Sequence, residues 1–405
     1  MKYSILTAAA FLAATTGAAA QSSDEITQYD GYNLVWHDEF DKDGQPDPEV
    51  WVPEVGFKRN HEDQWYQGDN AFCENGKLVI EARKERKKNP NYDPNSSDWT
   101  KNREYAEWTS SCLTTDEKKS WLYGRFEVYA KLPCLTGTWP AIWFLGQNDE
   151  AKKEIVNGKE QTVDYSWPNN GEIDVLEFYQ TGSPRRAHIL ANACWGGAKS
   201  KWDATWNSKR IPYAEHFLAK DPEWASKFHL WRMDWDEEAI RIYLDGELLN
   251  EIKLETTVNP QRSWFRKGDY NPFKQPQYML LNMALGGDNG GSLANLPDKT
   301  RYEIDYVRVY QKKGQTDGVT DIADNGGITV RGNGDSIEVT GSTDLADCHI
   351  DVVGAAGNLV YSTTATFDGT ASLTLPCSLP QGLYVVKVKH GNGVVAKKVL
   401  VDGVA

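Results

Sequence analysis

Residues 171–178 read GEIDVLEF. Glu172, Asp174 and Glu177 are threaded through Ile, Val, Leu and Phe, residue types that fit a pleated, half-buried strand. Side chains alternate faces along a strand, so Glu172 and Asp174 share a face while Glu177, five positions beyond Glu172, falls on the other. One extra residue taken up as a β-bulge between Asp174 and Glu177 resets the alternation and turns all three acids to the same side. The large apolar neighbours make this strand central, and unpaired acids in a central strand are costly to bury. The stretch therefore predicts an all-β core with a cluster of carboxylates on its middle strand.

Working outward, short β-like runs separated by Gly, Pro, Asn and Asp continue on both sides: KLVIEAR, YGRFEVYAKL, AIWFLG, RIYLDGELL, YMLLNMAL and YEIDYVRVY. Helical periodicity is scarce, with its best candidate near Pro212–Lys227. The pattern predicts one large β-sandwich over residues 28–311. The insertions Lys88–Glu104 and Asn148–Pro168 read as loops built around a binding face. Residues 312–327, KKGQTDGVTDIADNGG, are polar, rich in Gly and Asp and free of aromatics, as a linker would be. Beyond it, residues 328–405 hold strand-sized runs with Gly-Asn and Asn-Gly turn signals, predicting a small β-sandwich. This tail lacks tryptophan, leaving it little with which to stack on a sugar.

The chain opens MKYSILTAAAFLAATTGAAA, with Lys2 before an apolar stretch and Ala18-Ala19-Ala20 as a small-residue cleavage site. That is the pattern of a signal peptide over residues 1–20 and predicts an exported protein, secreted or at the cell surface, without membrane insertion. Six cysteines could be oxidised after export: Cys348 with Cys377, and Cys73 with Cys112 as the preferred second pair. Cys134 and Cys194 are left open between a bond and buried thiols. The formal net charge of −14 argues against nucleic acid as a partner, and the run Arg83–Lys88 (RKERKK) reads as a solvated strand end or loop. Sixteen tryptophans, all between Trp36 and Trp264, are several-fold above ordinary usage. Most are expected inside and the remainder in a cleft, where indole faces can stack on sugar C–H faces.

Across a bulge the outer two Cα atoms would lie roughly 13 Å apart at ~3.3 Å per step. Two glutamates leaning toward each other can bring their carboxyl groups to about 5–5.5 Å, the separation suited to a nucleophile and an acid/base acting on one sugar bond with retention. Asp174 between them can hold a proton and split their titrations, leaving one ionised to attack and the other protonated to release the leaving group.

The segment Glu172-Ile173-Asp174-Val175-Leu176-Glu177 resembles the E-[apolar]-D-x-x-E signature of glycoside hydrolase family sixteen. Further blocks resemble the family in order: NLVWHDEFD (33–41), NGKLVIEAR (75–83), YGRFEVYAKLP (123–133), GTWPAIWFLG (137–146), FHLWRMDWDEEAIRIYLDG (228–246), NPFKQPQYMLLNMALGGDNGG (271–291) and YEIDYVRVYQ (302–311). The resemblance implies a concanavalin-like β-jelly-roll. Carried over position by position, it implies Glu172 as nucleophile, Glu177 as general acid/base and Asp174 as the assisting acid. It further implies Trp139 and Trp143 on the glycone side of the cleft, Trp195 stacked on sugar near the cleavage point, and Asn60 as a sugar-binding amide.

The chain departs from the pattern at Cys194-Trp195, where many laminarinase-like members have His-Trp, and at Tyr129, where Arg is common. The bulged signature is similar to that of laminarinases, agarases and carrageenases. With no basic cluster for sulfate, a neutral β-glucan with 1,3- or mixed 1,3/1,4-linkages is the expected polysaccharide substrate. The alternatives are another β-linked polysaccharide such as agar-type galactan or xyloglucan, or a catalytically silent glycan-binding sandwich. Catalysis is expected to need no cofactor. The family's structural calcium would fall at Asp305, Gly76 and Glu39, with a solvent-facing Asp305 as the other reading. The tail resembles the sorting domain of the type nine secretion system, an Ig-like β-sandwich, implying secretion machinery as its partner. The protein is expected to be a monomer.

Overall fold

The computed structural model describes residues 26–313, apart from 157, 183, 184, 266, 268 and 269, and most of 328–401. The signal peptide expected over residues 1–20 and nearly all of the 312–327 segment lie outside the described residues.

Two sheets face each other over residues 32–312, antiparallel except where Gln64–Tyr66 runs parallel to Trp108–Ser110. The sheet bearing the acids has seven strands: β1 (Val52–Pro53), β2 (Cys112–Thr114), β3 (Thr138–Gly146), β4 (Glu172–Thr181), β5 (Arg186–Gly196), β6 (Ala204–Pro212) and β7 (Gln277–Leu285), in the spatial order β6-β5-β4-β3-β7-β2-β1. The acid strand β4 is therefore central, as its apolar content requires. The opposing ten-stranded sheet contains Gly124–Lys131, His229–Trp235 and the long strand Lys299–Lys312. Between the sheets, Ile142, Phe144, Ile173, Leu176, Phe178, Ile189 and Met279 from one side meet Phe126, Val128, Trp231, Met233, Val307 and Val309 from the other. Each of these is less than 3 % exposed, and their burial supplies the main driving force for the sandwich.

Three expectations change. The run RIYLDGELL is a hairpin, Ala239–Leu244 and Glu247–Lys253, because Asp245 (φ +48°) and Gly246 (φ +84°) both adopt the left-handed conformations of a tight type I′ turn. The helical candidate near Pro212–Lys227 is reduced to single turns at Ala214–Leu218 and Trp224–Ser226. Pro222 interrupts the segment, and Tyr213, Phe217 and Trp224 pack from it into the inter-sheet core. The preferred Cys73–Cys112 bond does not form: Cys73 lies in the inter-sheet core, whereas Cys112 joins a separate cluster with Tyr66 and Trp139, so the two thiols point into different spaces. Cys134 and Cys194 are thiols as well.

The 148–168 insertion carries its own hairpin, Ala151–Val156 with Lys159–Asp164, anchored by Tyr165 against Phe265 and Tyr270. The tail folds as a three-stranded and a four-stranded sheet around Val339, Ile350, Val352, Val386 and Val388. This arrangement is consistent with an Ig-like sandwich. Cys377 lies outside the described residues.

Candidate active site

The bulge predicted between Asp174 and Glu177 is present. Against β5, Asp174 stands opposite Asn192 and Glu177 opposite Leu190, leaving two residues on β4, Val175 and Leu176, against one on β5, Ala191. Against β3, Asp174 pairs with Trp143 and Leu176 with Ile142, so Val175 is the residue without a partner. Val175 and Leu176 both enter the inter-sheet core. Glu172, Asp174 and Glu177 consequently all line the cleft on the opposite face of the sheet. Gly171 admits the chain to this strand at φ +78°, where an added Cβ would lie 2.8 Å from Pro272.

Each acid has distinct partners. Glu172 accepts a hydrogen bond from Trp167 Nε1 at 2.9 Å. Glu177 accepts one from Trp139 Nε1 at 2.9 Å and one from Asn192 Nδ2 at 3.0 Å. Asp174, 1 % exposed, lies between them and is hydrogen-bonded to Glu172. Burial raises all three carboxyls. Glu172 is pushed up to about 7, with the Trp167 and Asp174 hydrogen bonds and the Arg59 charge holding it back. Glu177 is pushed up to about 8, the ionised Glu172 adding to burial. Asp174 is raised well above the ordinary carboxylate range, by burial and then by the charges of both neighbours, so it holds its proton. Glu172 thus ionises first while Glu177 and Asp174 remain protonated, the division of labour that nucleophilic attack with general-acid assistance needs.

The cleft has a volume of about 450 Å³. Trp139 and Trp143 line it as expected, Trp139 with its ring edge-on to Tyr179 at 5.2 Å. Trp143 Nε1 donates to Asn282 Oδ1 at 2.7 Å, and Asn282 Nδ2 donates to Tyr66 Oη at 3.0 Å. Asn60 also lines the cleft, and its Nδ2 donates to the buried Glu62 at 3.3 Å. The Arg59 guanidinium lies 5.1 Å from the Trp143 ring centre and is paired with both oxygens of Glu54.

Trp195, expected to stack on sugar, does not line the cleft. Cys194 stands directly opposite Glu172 and shares its face, so on the regular strand β5 the next residue points inward. Trp195 packs in the inter-sheet core against Phe273. The aromatic wall on that side comes instead from Trp206, opposite Cys194 on β6 and 45 % exposed, and from Trp167. Neither was singled out from the sequence. The period-two pattern of β6 could have indicated Trp206, whereas Trp167 is delivered by a loop and carries no periodic signal. Tyr129, the other departure, stacks on Tyr306 in the opposing sheet, away from the acids.

The calcium set fits poorly as side-chain ligands. Both oxygens of Glu39 are taken by Arg308, at 2.8 and 2.7 Å, and His37 Nδ1 lies 3.1 Å from one of them. Asp305 and Gly76 sit on the opposing sheet and the turn leading into it. Among the described residues no group of three or more His, Cys, Asp or Glu is placed to hold a metal.

A jelly-roll sheet presenting two glutamates of unequal proton affinity in a tryptophan-walled cleft defines a glycosidase. The chain belongs to the family Glycosyl hydrolases family 16, whose profile it matches over residues 58–308. It is 32 % identical over 315 residues to a beta-glucanase of Rhodothermus marinus, the match covering 74 % of this chain and 92 % of that protein. Among solved structures it resembles the laminarinase catalytic domain of Thermotoga maritima MSB8, at 30 % identity and a TM-score of 0.51, covering 69 % of this chain and 98 % of that one. It also resembles a structure from work on endo-acting O-glycanases by which members of the human gut microbiota initiate mucin breakdown, at 32 % identity and a TM-score of 0.58, covering 71 % of this chain and 93 % of that one. Residues 333–402 match the secretion system C-terminal sorting domain, which indicates export. No helix among the described residues is long and apolar enough to cross a membrane.

Proposed function

We propose that this protein is an endo-acting, retaining β-glucanase that cleaves 1,3- or mixed 1,3/1,4-linked glucan by double displacement. The observation that carries the reading is the bulge at Val175, which brings an ionised Glu172 and a protonated Glu177 to one cleft. In the first step a Glu172 oxygen attacks the anomeric carbon while Glu177 gives its proton to the departing glycosidic oxygen, leaving a glycosyl ester on Glu172. In the second step Glu177, now a carboxylate, takes a proton from water. The resulting hydroxide equivalent attacks the anomeric carbon, and Glu172 leaves with its negative charge restored. Protonated Asp174 donates to Glu172 and is available to stabilise that charge whenever it reappears. These steps require carboxyl groups and water alone.

A neutral sugar is favoured because Arg59, the cation at the cleft wall, is neutralised by Glu54 and has Glu62 nearby. The relatives named beta-glucanase and laminarinase support glucan. The O-glycanase resemblance, at the higher TM-score of the two structures, supports mucin O-glycans as the second reading. We assign the tail to export or surface attachment, with secretion machinery as its partner. Incubation with laminarin, barley mixed-linkage glucan, lichenan, xyloglucan, agarose and mucin O-glycans, followed by sizing of the products, tests the substrate. Internal cleavage of laminarin or mixed-linkage glucan is expected; cleavage of mucin chains alone would replace glucan by the second reading, and inertness toward all six would overturn both.

A further inference from the structure

Asn192 stands on β5 directly opposite Asp174. Its side chain is 2 % exposed, and its Nδ2 group reaches two acids at once, Glu177 Oε2 at 3.0 Å and Asp174 Oδ2 at 3.3 Å. Its Oδ1 is buried with no hydrogen-bond partner. An orphaned carbonyl is a stability loss that an apolar side chain of similar size would avoid, as the neighbouring Leu190 does. The amide therefore has no packing rationale, and its useful part is the N–H end. Glu177 is pinned on both oxygens, by Trp139 on Oε1 and Asn192 on Oε2, so its carboxyl plane is fixed from β3 on one side and β5 on the other.

Resting on the assignment of Glu177 as acid/base, we propose that Asn192 is a positioning residue that straps the acid/base to the assisting acid and holds Glu177 in place through both proton transfers. When Glu177 releases its proton to the glycosidic oxygen, the Asn192 N–H becomes a charge-assisted donor to the new carboxylate. When Glu177 then takes a proton from water, the same N–H keeps its other oxygen turned toward the nucleophilic water. Asn192 itself touches no substrate atom.

The charged and titratable groups around Glu177 are few. Glu172, Asp174 and Tyr179 come from β4, Cys194 from β5 and Arg210 from β6, while Arg59 and Glu62 face it from across the cleft. Removing the Asn192 donor leaves all of these in place. The ionised form of Glu177 then loses one of its stabilising partners, so its titration moves upward, while that of Glu172, which Asn192 does not touch, stays where it was.

The test uses the full chain and the glycan of the panel above that it cleaves fastest. Asn192→Ala is expected to lower kcat on the order of tenfold to a hundredfold with little change in KM, as loss of a charge-assisted bond in the transition state would. The alkaline limb of its kcat/KM profile should move to higher pH with the acid limb unmoved. Asn192→Thr, which keeps a hydroxyl donor on a strand-compatible side chain, should recover part of kcat and return the alkaline limb toward its original position; this variant decides the matter should Asn192→Ala fail to fold. An alkaline limb that stays put in both variants, or limbs that move together, would overturn the proposal. A parallel Glu177→Gln variant separates the two levels of the reading: if it abolishes turnover while the Asn192 variants leave the profile untouched, only the role of Asn192 falls. Normal turnover in Glu177→Gln would remove the acid/base assignment itself.

Discussion

Strands β4 and β5 are neighbours in the middle of one sheet, both rich in apolar residues, yet they present different things to the cleft. On β4 the bulge at Val175 puts two consecutive residues into the core and returns Glu177 to the face of Glu172 and Asp174. On β5 the alternation is unbroken, so Asn192 and Cys194 face the acids while Ala193 and Trp195 face the core. A single extra residue therefore separates a strand that concentrates carboxylates from one that merely supports them. The same regularity takes Trp195 out of reach of substrate and gives its place to Trp206 on the next strand.

The largest effects should come from the bulged strand. Glu172→Gln and Glu177→Gln are each expected to lower kcat by several orders of magnitude while leaving folding and glycan binding nearly intact, since an amide can neither attack carbon nor shuttle the proton. Steady-state kinetics beside a binding assay checks this, and near-normal turnover in either variant would reject its role.

The regular strand should respond in stability instead. Trp195→Ala is expected to cost about 3–5 kcal/mol of folding free energy, the usual penalty for truncating a buried aromatic. Its KM should change little if the protein remains folded. Trp206→Ala should do the reverse, raising KM about tenfold, equivalent to about 1.4 kcal/mol of lost binding, with denaturant midpoints unchanged. A Trp195 variant with intact stability and a raised KM would return that residue to the cleft.

The subtlest contrast is in proton affinity. With Glu172 raised to about 7 and Glu177 to about 8, the active form, Glu172 ionised and Glu177 protonated, is most populated between those values. The pH profile of kcat/KM should be bell-shaped, with both limbs well above the ordinary carboxylate range. The same shifts make the folded state bind more protons than the unfolded one from about pH 4.5, the ordinary carboxyl value, to about 8. Stability should therefore fall as pH rises through that window. Glu177→Gln should relieve part of this loss and narrow the drop in melting temperature between pH 5 and pH 8. An acid limb near 4.5 would show that the cleft does not bias Glu172.

Much of this was legible in the sequence because period-two alternation is a strong constraint. An E-x-D-x-x-E run amid apolar residues admits few solutions other than a bulge, and Trp139 and Trp143 follow from the same arithmetic on β3. Elsewhere the signal ran out for physical reasons. Trp195 was given to the cleft by resemblance, although its register relative to Cys194 and Glu172 depends on a pairing that only the folded sheet supplies. Trp167 reaches Glu172 from an insertion stabilised by Tyr165 packing on Phe265 and Tyr270, about a hundred positions further along the chain. Asn192 carries no motif, and its meaning lies wholly in which strand stands beside it. Cys73 and Cys112 lie on elements that could have paired, yet their side chains enter different clusters.

In the proposed mechanism one bulged strand places nucleophile and acid/base on the same face, close enough to exclude water between sugar and nucleophile. Proton NMR of a laminarin or mixed-linkage glucan digest, recorded within the first minutes and before mutarotation, tests it most directly. The β-anomer is expected to appear first, through a glycosyl intermediate on Glu172. An initial α-anomer would mean inversion by a water lodged between widely spaced carboxyls, about 6.5–9.5 Å apart, and would contradict the geometry assigned to this strand.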